Sequence, residues 1–165
     1  IEQNHTKIAG LFKSDDMQGP ERYSGLVSAI RDSSLPIPDK HIAWFGTEEL
    51  KDLDKKQDTG FLLEFIRKQL KSCTAVICYN DEIAYWLIKE LQYANLRVPE
   101  DIAVACFDNS YLSELSAVRI TSLSHQPHEM GYAAANTLLK MMQGLPVKSL
   151  KTSWHLVSKE SDAPL

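Results

Sequence analysis

The chain has 165 residues, 44% of them apolar and 24% charged, which is enough to bury one substantial core and excludes disorder, collagen and a coiled coil. Eighteen Lys and Arg stand against 22 Asp and Glu, a formal charge of -4, and no basic run offers a footprint for nucleic acid; this polypeptide alone is predicted to bind DNA poorly. The longest apolar runs, such as Ala75 to Cys78 and Ile102 to Phe107, fall far short of the roughly 20 residues a membrane helix needs, which predicts a soluble chain with no membrane partner.

Lys7 to Phe12 (KIAGLF) reads as a short strand, and Pro20 to Asp32 follows with Tyr23, Leu26, Val27 and Ile30 at helical spacing. His41 to Phe45 (HIAWF) is a second strand. The stretch Gly46 to Asp58 (GTEELKDLDKKQD) is so densely charged that it reads as a solvated loop or a first helical turn. A helix over Phe61 to Leu70 comes next, with Phe61, Leu62, Phe65, Ile66 and Leu70 on one face and Asp58 and Thr59 as candidate caps. Thr74 to Tyr79 (TAVICY) then leads directly into a helix over Asp81 to Ala94, capped by Asn80 or Asp81 and stopped at Asn95. Ile102 to Phe107 (IAVACF) lacks polar alternation, as expected of a strand covered by helices on both faces. Ile120 to Ser124 is a short extra strand. Pro127 fits the first turn of a long helix ending at Gly144, and Lys151 to Ser158 alternates like an edge strand, followed by a tail expected to be loose.

This alternation of strand and helix predicts an α/β fold: an open, mainly parallel sheet flanked by helices on both faces, with right-handed crossovers. Ligands of such sheets bind beyond the carboxyl ends of the strands, so function is sought in the residues that follow each strand. Three cysteines without a signal peptide suit a reducing cytoplasm, and Cys78 and Cys106 lie inside apolar runs as small core residues.

The strand ends carry Lys13, Ser14, Asp15, Asp16 and Gln18; Gly46, Thr47, Glu48 and Glu49; Asn80, Asp81 and Glu82; Asp108 and Asn109; and His125 and Gln126. Carboxylates that accept, amides that donate and accept, and an arginine fork together match the adjacent hydroxyls of a small sugar or polyol. Plainer roles stand beside these. Asn80 and Asp81 are well placed as helix caps, Arg22 as a solvated helical charge, and His125 as a hydrogen-bonded core histidine. No G-x-x-x-x-G-K-[ST], G-x-G-x-x-G or G-x-S-x-G motif occurs, and no histidine stands at zinc-ligand spacing to Cys73 and Cys78. Asp15, Asp16 and Asp108 remain conceivable as a cluster holding a divalent metal, the basis of an alternative reading as an α/β enzyme or phosphoacceptor domain.

The segments IAGLFKSDDMQG (Ile8 to Gly19) with Arg22 and Gly25, TAVICYNDEIA (Thr74 to Ala84), LRVPEDIAVACFDNS (Leu96 to Ser110) and ITSLSHQP (Ile120 to Pro127) resemble the effector-binding domain of the lactose/galactose-repressor family. Within that family they are most similar to the arabinose repressors of Gram-positive bacteria. Trp154, Leu156, Val157 and Ser161 look like the family's closing strand and tail. The resemblance implies that residues 1–165 form the C-terminal lobe of a two-lobed, periplasmic-binding-protein-like domain, with most of the N-terminal lobe and the DNA-binding domain absent. Operator DNA would be bound only through that missing domain.

Residue by residue, the resemblance assigns Arg22, Asn80 and Asp108 to sugar hydroxyls, Gln18 and His125 to less uniform contact positions, and Lys13 and Asp16 to the arabinose subgroup. Cys106 stands where the family usually has glycine. The implied protein is a non-enzymatic cytoplasmic repressor without a cofactor, sensing L-arabinose or a related pentose and releasing DNA by a shift between two closures. Dimerisation has its own signal. With Ile83, Ala84, Leu87, Ile88 and Leu91 buried, the helix Asp81 to Ala94 leaves Tyr85, Trp86, Lys89 and Tyr93 for a homodimer surface, joined by the loop with Tyr111 and Leu112.

Overall fold

A computed structural model of the chain describes residues 4–36 and 39–162. Six strands form one sheet: β1 (Ile8–Lys13), β2 (Ile42–Phe45), β3 (Ala75–Cys78), β4 (Ala103–Phe107), β5 (Thr121–Ser124) and β6 (His155–Val157). Their order is β2-β1-β3-β4-β5-β6, parallel throughout except for β6, which runs antiparallel to β5. The helices are α1 (Gln18–Asp32), α2 (Thr47–Lys56), α3 (Gly60–Lys68), α4 (Asp81–Tyr93), α5 (Leu112–Leu115) and α6 (Pro127–Met142).

Alternate strand residues face opposite layers, which is why the strands read as continuous apolar runs. Ala9, Leu11, Val76, Cys78, Val104 and Cys106 share a core with Leu53 of α2, Leu62 and Phe65 of α3, and the stripe Ile83, Ala84, Leu87, Ile88 and Leu91 of α4. Ile8, Ala75, Ala103 and Ile77 face the opposite way, toward Leu26 of α1. All three cysteines are buried and free, and burial raises the thiol pKa of each, so they behave as small core residues. No helix among the described residues is long and apolar enough to cross a membrane.

Local signals explain most element ends. The Asn80 side chain accepts from the Ile83 N–H at 3.0 Å and so caps α4, and Asn95, just beyond its end, takes a left-handed φ of 57°. Asp58 Oδ1 accepts from Gly60 N–H at 2.9 Å ahead of α3, whereas Thr59 makes no side-chain cap bond.

Two sequence expectations are corrected. The charged stretch after β2 is not a solvated loop or a single turn but the ten-residue helix α2. Leu50 and Leu53, three apart, give it one apolar stripe, and Leu53 is fully buried. Its first N–H groups are met by the Glu49 carboxylate, which accepts from Gly46 N–H at 3.0 Å, and by Asp15, which accepts from Thr47 N–H at 2.7 Å. The charges that hid the helix are its solvent face, where Lys51–Glu48 and Lys56–Asp52 pair along it.

The tail is likewise not loose up to Asp162. Ser161 is fully buried, its hydroxyl donating to Val104 O at 2.6 Å and accepting from Thr121 N–H at 2.8 Å. Val104 N–H in turn donates to Ser161 O at 2.7 Å. A short polar sequence thus fastens the end of the chain across β4 and β5.

Candidate functional site

The site is built on the carboxyl ends of β1, β3, β4 and β5. Gly19 brings α1 up against the end of β1: a Cβ at this position would lie 1.7 Å from the Lys13 carbonyl oxygen, so only glycine permits the approach. The Asp16 carboxylate accepts from Gly19 N–H at 2.9 Å and from the Tyr79 hydroxyl at 2.6 Å, which locks the start of α1 to the end of β3. Gln18, the first residue of α1, also receives the Tyr79 hydroxyl at 3.3 Å, and Arg22 follows one turn later on the same face.

Arg22 is the centre of the wall. Its guanidinium is sandwiched between the rings of Tyr79 and Phe107, 4.6 and 4.7 Å from their centroids. One Nη donates to the Tyr79 carbonyl, and the other donates to Asp108 Oδ1 at 2.8 Å. The fork is therefore held in one orientation. The Arg22 side chain is 9% exposed, whereas that of Asp108 is 40% exposed, so the carboxylate faces the opening. His125 approaches from β5, with Nε2 3.9 Å from Asp108 Oδ1. Met17, Gln18, Glu21, Arg22 and His125 line a depression of about 320 Å³. A second, mainly apolar depression of about 580 Å³ lies along α1 on the far side of Arg22, over Leu26, Ile77, Phe107 and Trp154.

The backbone of the β4 turn is unusual. Asp108 and Asn109 have φ values of 94° and 50°, a left-handed conformation that costs side-chain-bearing residues energy and persists only where the surroundings enforce it. They do so here: Asp108 N–H donates to Leu123 O, Asn109 N–H to Ser122 Oγ, and Ser110 N–H to Asp81. Asp81, 1% exposed, also accepts from Ser122 Oγ at 2.7 Å and Cys106 Sγ at 2.8 Å. Cys106 thus packs a thiol donor beneath the site.

Charge is distributed unevenly among the predicted residues. Lys13 pairs with Asp15 at 2.6 Å and lies 3.6 Å from Asp16. The Lys13 ammonium and the Thr47 N–H hold the Asp15 carboxyl well below the usual carboxylate range. Burial opposes the charge of Asp16, but the Tyr79 hydroxyl, Gly19 N–H and Lys13 together still hold its pKa down. Burial and the bond to Asp16 push the Tyr79 phenol up to about 12, so it stays a donor. Asp15 is a joint between β1 and α2, and Asp108 is paired to Arg22. Among the described residues no three His, Cys, Asp or Glu side chains converge to hold a metal, so the geometry lends no support to the divalent-metal alternative.

Of the seven residues singled out from sequence, Gln18, Arg22 and His125 line the depression, Asp108 joins them through its bond to Arg22 and Asp16 through Tyr79, while Lys13 sits behind them, paired with Asp15. Asn80 adjoins the wall through Tyr79. Its Oδ1 is committed to the cap of α4, while its Nδ2 has no partner among the described residues. Sequence reasoning missed Tyr79 and Phe107, each the aromatic immediately before a polar residue at a strand end; that position was the available signal. On α4, Tyr85, Trp86 and Lys89 are half-buried, Lys89 Nζ lying 4.2 Å from a Trp86 ring centroid, and Tyr93 is exposed. α5 packs on α4 and presents Tyr111, with Leu112 half-buried beside it.

Comparison with known proteins agrees with this architecture. The arabinose metabolism transcriptional repressor of Geobacillus stearothermophilus is 34% identical over 87% of the chain, and that of Halalkalibacterium halodurans 32% identical over 87%. The chain spans 38% and 37% of those proteins respectively. The crystal structure of a LacI transcriptional regulator from a Rhodococcus species superposes with a TM-score of 0.79 at 27% identity, covering 99% of this chain and 58% of that one. The sequence also matches the periplasmic binding protein-like domain over residues 1–161, and it is to this family that the chain belongs.

Proposed function

We propose that the chain is the C-terminal, effector-binding and dimerising lobe of a cytoplasmic, sugar-responsive transcriptional repressor, and that its effector is L-arabinose or a related pentose. The observation that carries the reading is the pre-set Arg22 fork with Asp108, flanked by Gln18 and His125. Paired donors and acceptors about one sugar-hydroxyl spacing apart favour a vicinal diol, while the Tyr79 and Phe107 rings hold the guanidinium between them. Two similar repressors are named for arabinose metabolism, and within the KSDDMQG stretch Asp16 holds the start of α1 and Asp15 the start of α2.

Helix α6 supports the presence of an opposing lobe. None of its residues is buried, and Met130, Leu138, Met141 and Leu150 line an apolar groove of about 360 Å³. So much exposed apolar surface on one helix requires a cover, and the relatives, more than twice as long as this chain, have the length to supply one. The occupant is the first lobe of the same protein, closing over the wall from α6. Effector bound between the lobes stabilises one closure, and the α4–α5 surface carries that closure to a second subunit and thence to DNA-binding heads outside this chain.

Calorimetric titration of the full-length protein with L-arabinose, D-xylose, D-ribose and D-galactose tests the reading. Saturable binding of a pentose, weakened strongly in Arg22→Ala and Asp108→Ala, supports it. Absence of binding by all four sugars in the unaltered protein sinks it.

A further inference from the structure

We propose that Lys159 is a positioning residue: it holds the Asp108–Ser110 turn in its binding shape and ties the carbohydrate wall to α5. The proposal rests on the carbohydrate reading above and adds to it the element that transmits occupancy.

Lys159 lies beyond β6, 50 residues from Asn109 in sequence, in a tail that sequence alone marks as inert. Its side chain is nonetheless only 6% exposed. The ammonium donates to Asn109 Oδ1 at 2.9 Å and Ser113 Oγ at 2.7 Å, and it pairs with Glu114 Oε1 at 2.6 Å. A buried ammonium has three N–H groups to satisfy, and these three acceptors use all of them. Ser113 itself is fully buried; its hydroxyl donates to Ser110 O at 2.7 Å and lies 3.3 Å from Asn109 Oδ1. One cation therefore clamps two structures at once.

The first is the left-handed pair Asp108 and Asn109, whose conformation needs enforcement from outside. The second is α5, which carries Ser113 and Glu114 and whose outer face, at Tyr111 and Leu115, is 72% and 68% exposed. Lys159 is itself anchored: its N–H donates to Thr121 Oγ1 at 2.7 Å, and the neighbouring Ser161 is locked to β4 and β5. Any movement of Asp108 on gripping a ligand must be passed through Asn109 to the ammonium, and from there to Ser113 and Glu114. α5 is then the element that responds, and its exposed face is where a second copy would sense it.

The test uses the full-length protein and its Lys159→Met, Lys159→Arg and Ser113→Ala variants. Three readouts are taken: L-arabinose binding by calorimetry, dimer dissociation by sedimentation with and without sugar, and amide hydrogen exchange. In Lys159→Met, sugar is expected to bind about tenfold more weakly and dimerisation to lose its dependence on sugar. Ser113→Ala shifts both in the same direction, and Lys159→Arg restores most of the loss. Exchange accelerates at Asp108–Ser116 while the central strands keep their protection. Wild-type sugar affinity with unchanged exchange at Asp108–Ser116 in Lys159→Met overturns the proposal, as does acceleration spread evenly over the whole sheet. If the unaltered protein binds no sugar, the carbohydrate reading fails by itself. Exchange then decides alone: acceleration running from Asp108–Ser110 into Tyr111–Ser116 sustains the clamp, and its absence refutes it.

Discussion

Replacing Asp81 by alanine probes the joint that holds the binding turn over the sheet. The carboxylate is 1% exposed and accepts from Ser110 N–H, Ser122 Oγ and Cys106 Sγ. Alanine leaves all three without an acceptor. The thiol is a weak donor and costs little, whereas the Ser110 N–H and the buried Ser122 hydroxyl each lose a charge-assisted bond of about 1.5–3 kcal/mol. The two bonds together amount to a loss of about 3–6 kcal/mol, to which the removal of an acidic residue from the first turn of α4 adds a little. For a chain of this size that corresponds to a fall in Tm of roughly 6–24 °C. Urea denaturation followed by circular dichroism measures it, with Asp81→Asn expected to fall between the alanine variant and wild type because one carbonyl acceptor remains. A loss below about 1 kcal/mol for Asp81→Ala would show that the joint is not the anchor described here.

Four further outcomes are expected. Gly19→Ala, which sets a Cβ against the Lys13 carbonyl, destabilises the protein by at least about 3 kcal/mol in urea titrations, beyond ordinary overpacking, because the obstacle is backbone. Burial and the nearby Asp54 carboxylate push Glu82 up to about 7, so the folded state holds a proton there that the unfolded chain releases near its ordinary carboxylate range. That contribution to stability is fully present below about pH 4.5 and is lost as pH rises through 7; Glu82→Gln should flatten the decline in Tm between pH 5 and 8. Arg22→Lys keeps the charge but loses the fork, and it is expected to weaken pentose binding about 10- to 100-fold by calorimetry. Trp86→Ala with Tyr93→Ala weakens dimerisation of the full-length protein at least about tenfold in sedimentation experiments, if these aromatics anchor the interface.

Strands, crossovers and the cap of α4 were legible because each rests on short-range rules: apolar runs covered on both faces, and an asparagine at a helix start. The gathering of the strand-end residues was legible for a topological reason, since a parallel sheet brings the ends of β1, β3, β4 and β5 to one edge wherever they lie in sequence. That is how Arg22 and Asp108, 86 residues apart, come to touch. What stayed hidden depended on partners supplied by the fold. Helix α2 has only Leu50 and Leu53 as an apolar stripe, and its N-terminus is served by Asp15 from another element. Tyr79 and Phe107 sit inside apolar runs, where an aromatic floor for an arginine is indistinguishable from core. Lys159 and Ser161 are ordinary polar residues until β4 and β5 surround them. Asp15 and Asp16 illustrate the converse: both were conspicuous in sequence, and both are engaged in holding helix starts.

The most direct measurement is a crystal structure of the full-length protein grown with L-arabinose. The account predicts the pentose in the depression lined by Gln18, Arg22 and His125, with adjacent hydroxyls on the Arg22 fork and on the Asp108 carboxylate, and an opposing lobe seated on α6. A sugar bound elsewhere, or a cleft in which Arg22 and Asp108 turn away from it, would contradict the assignment of this wall.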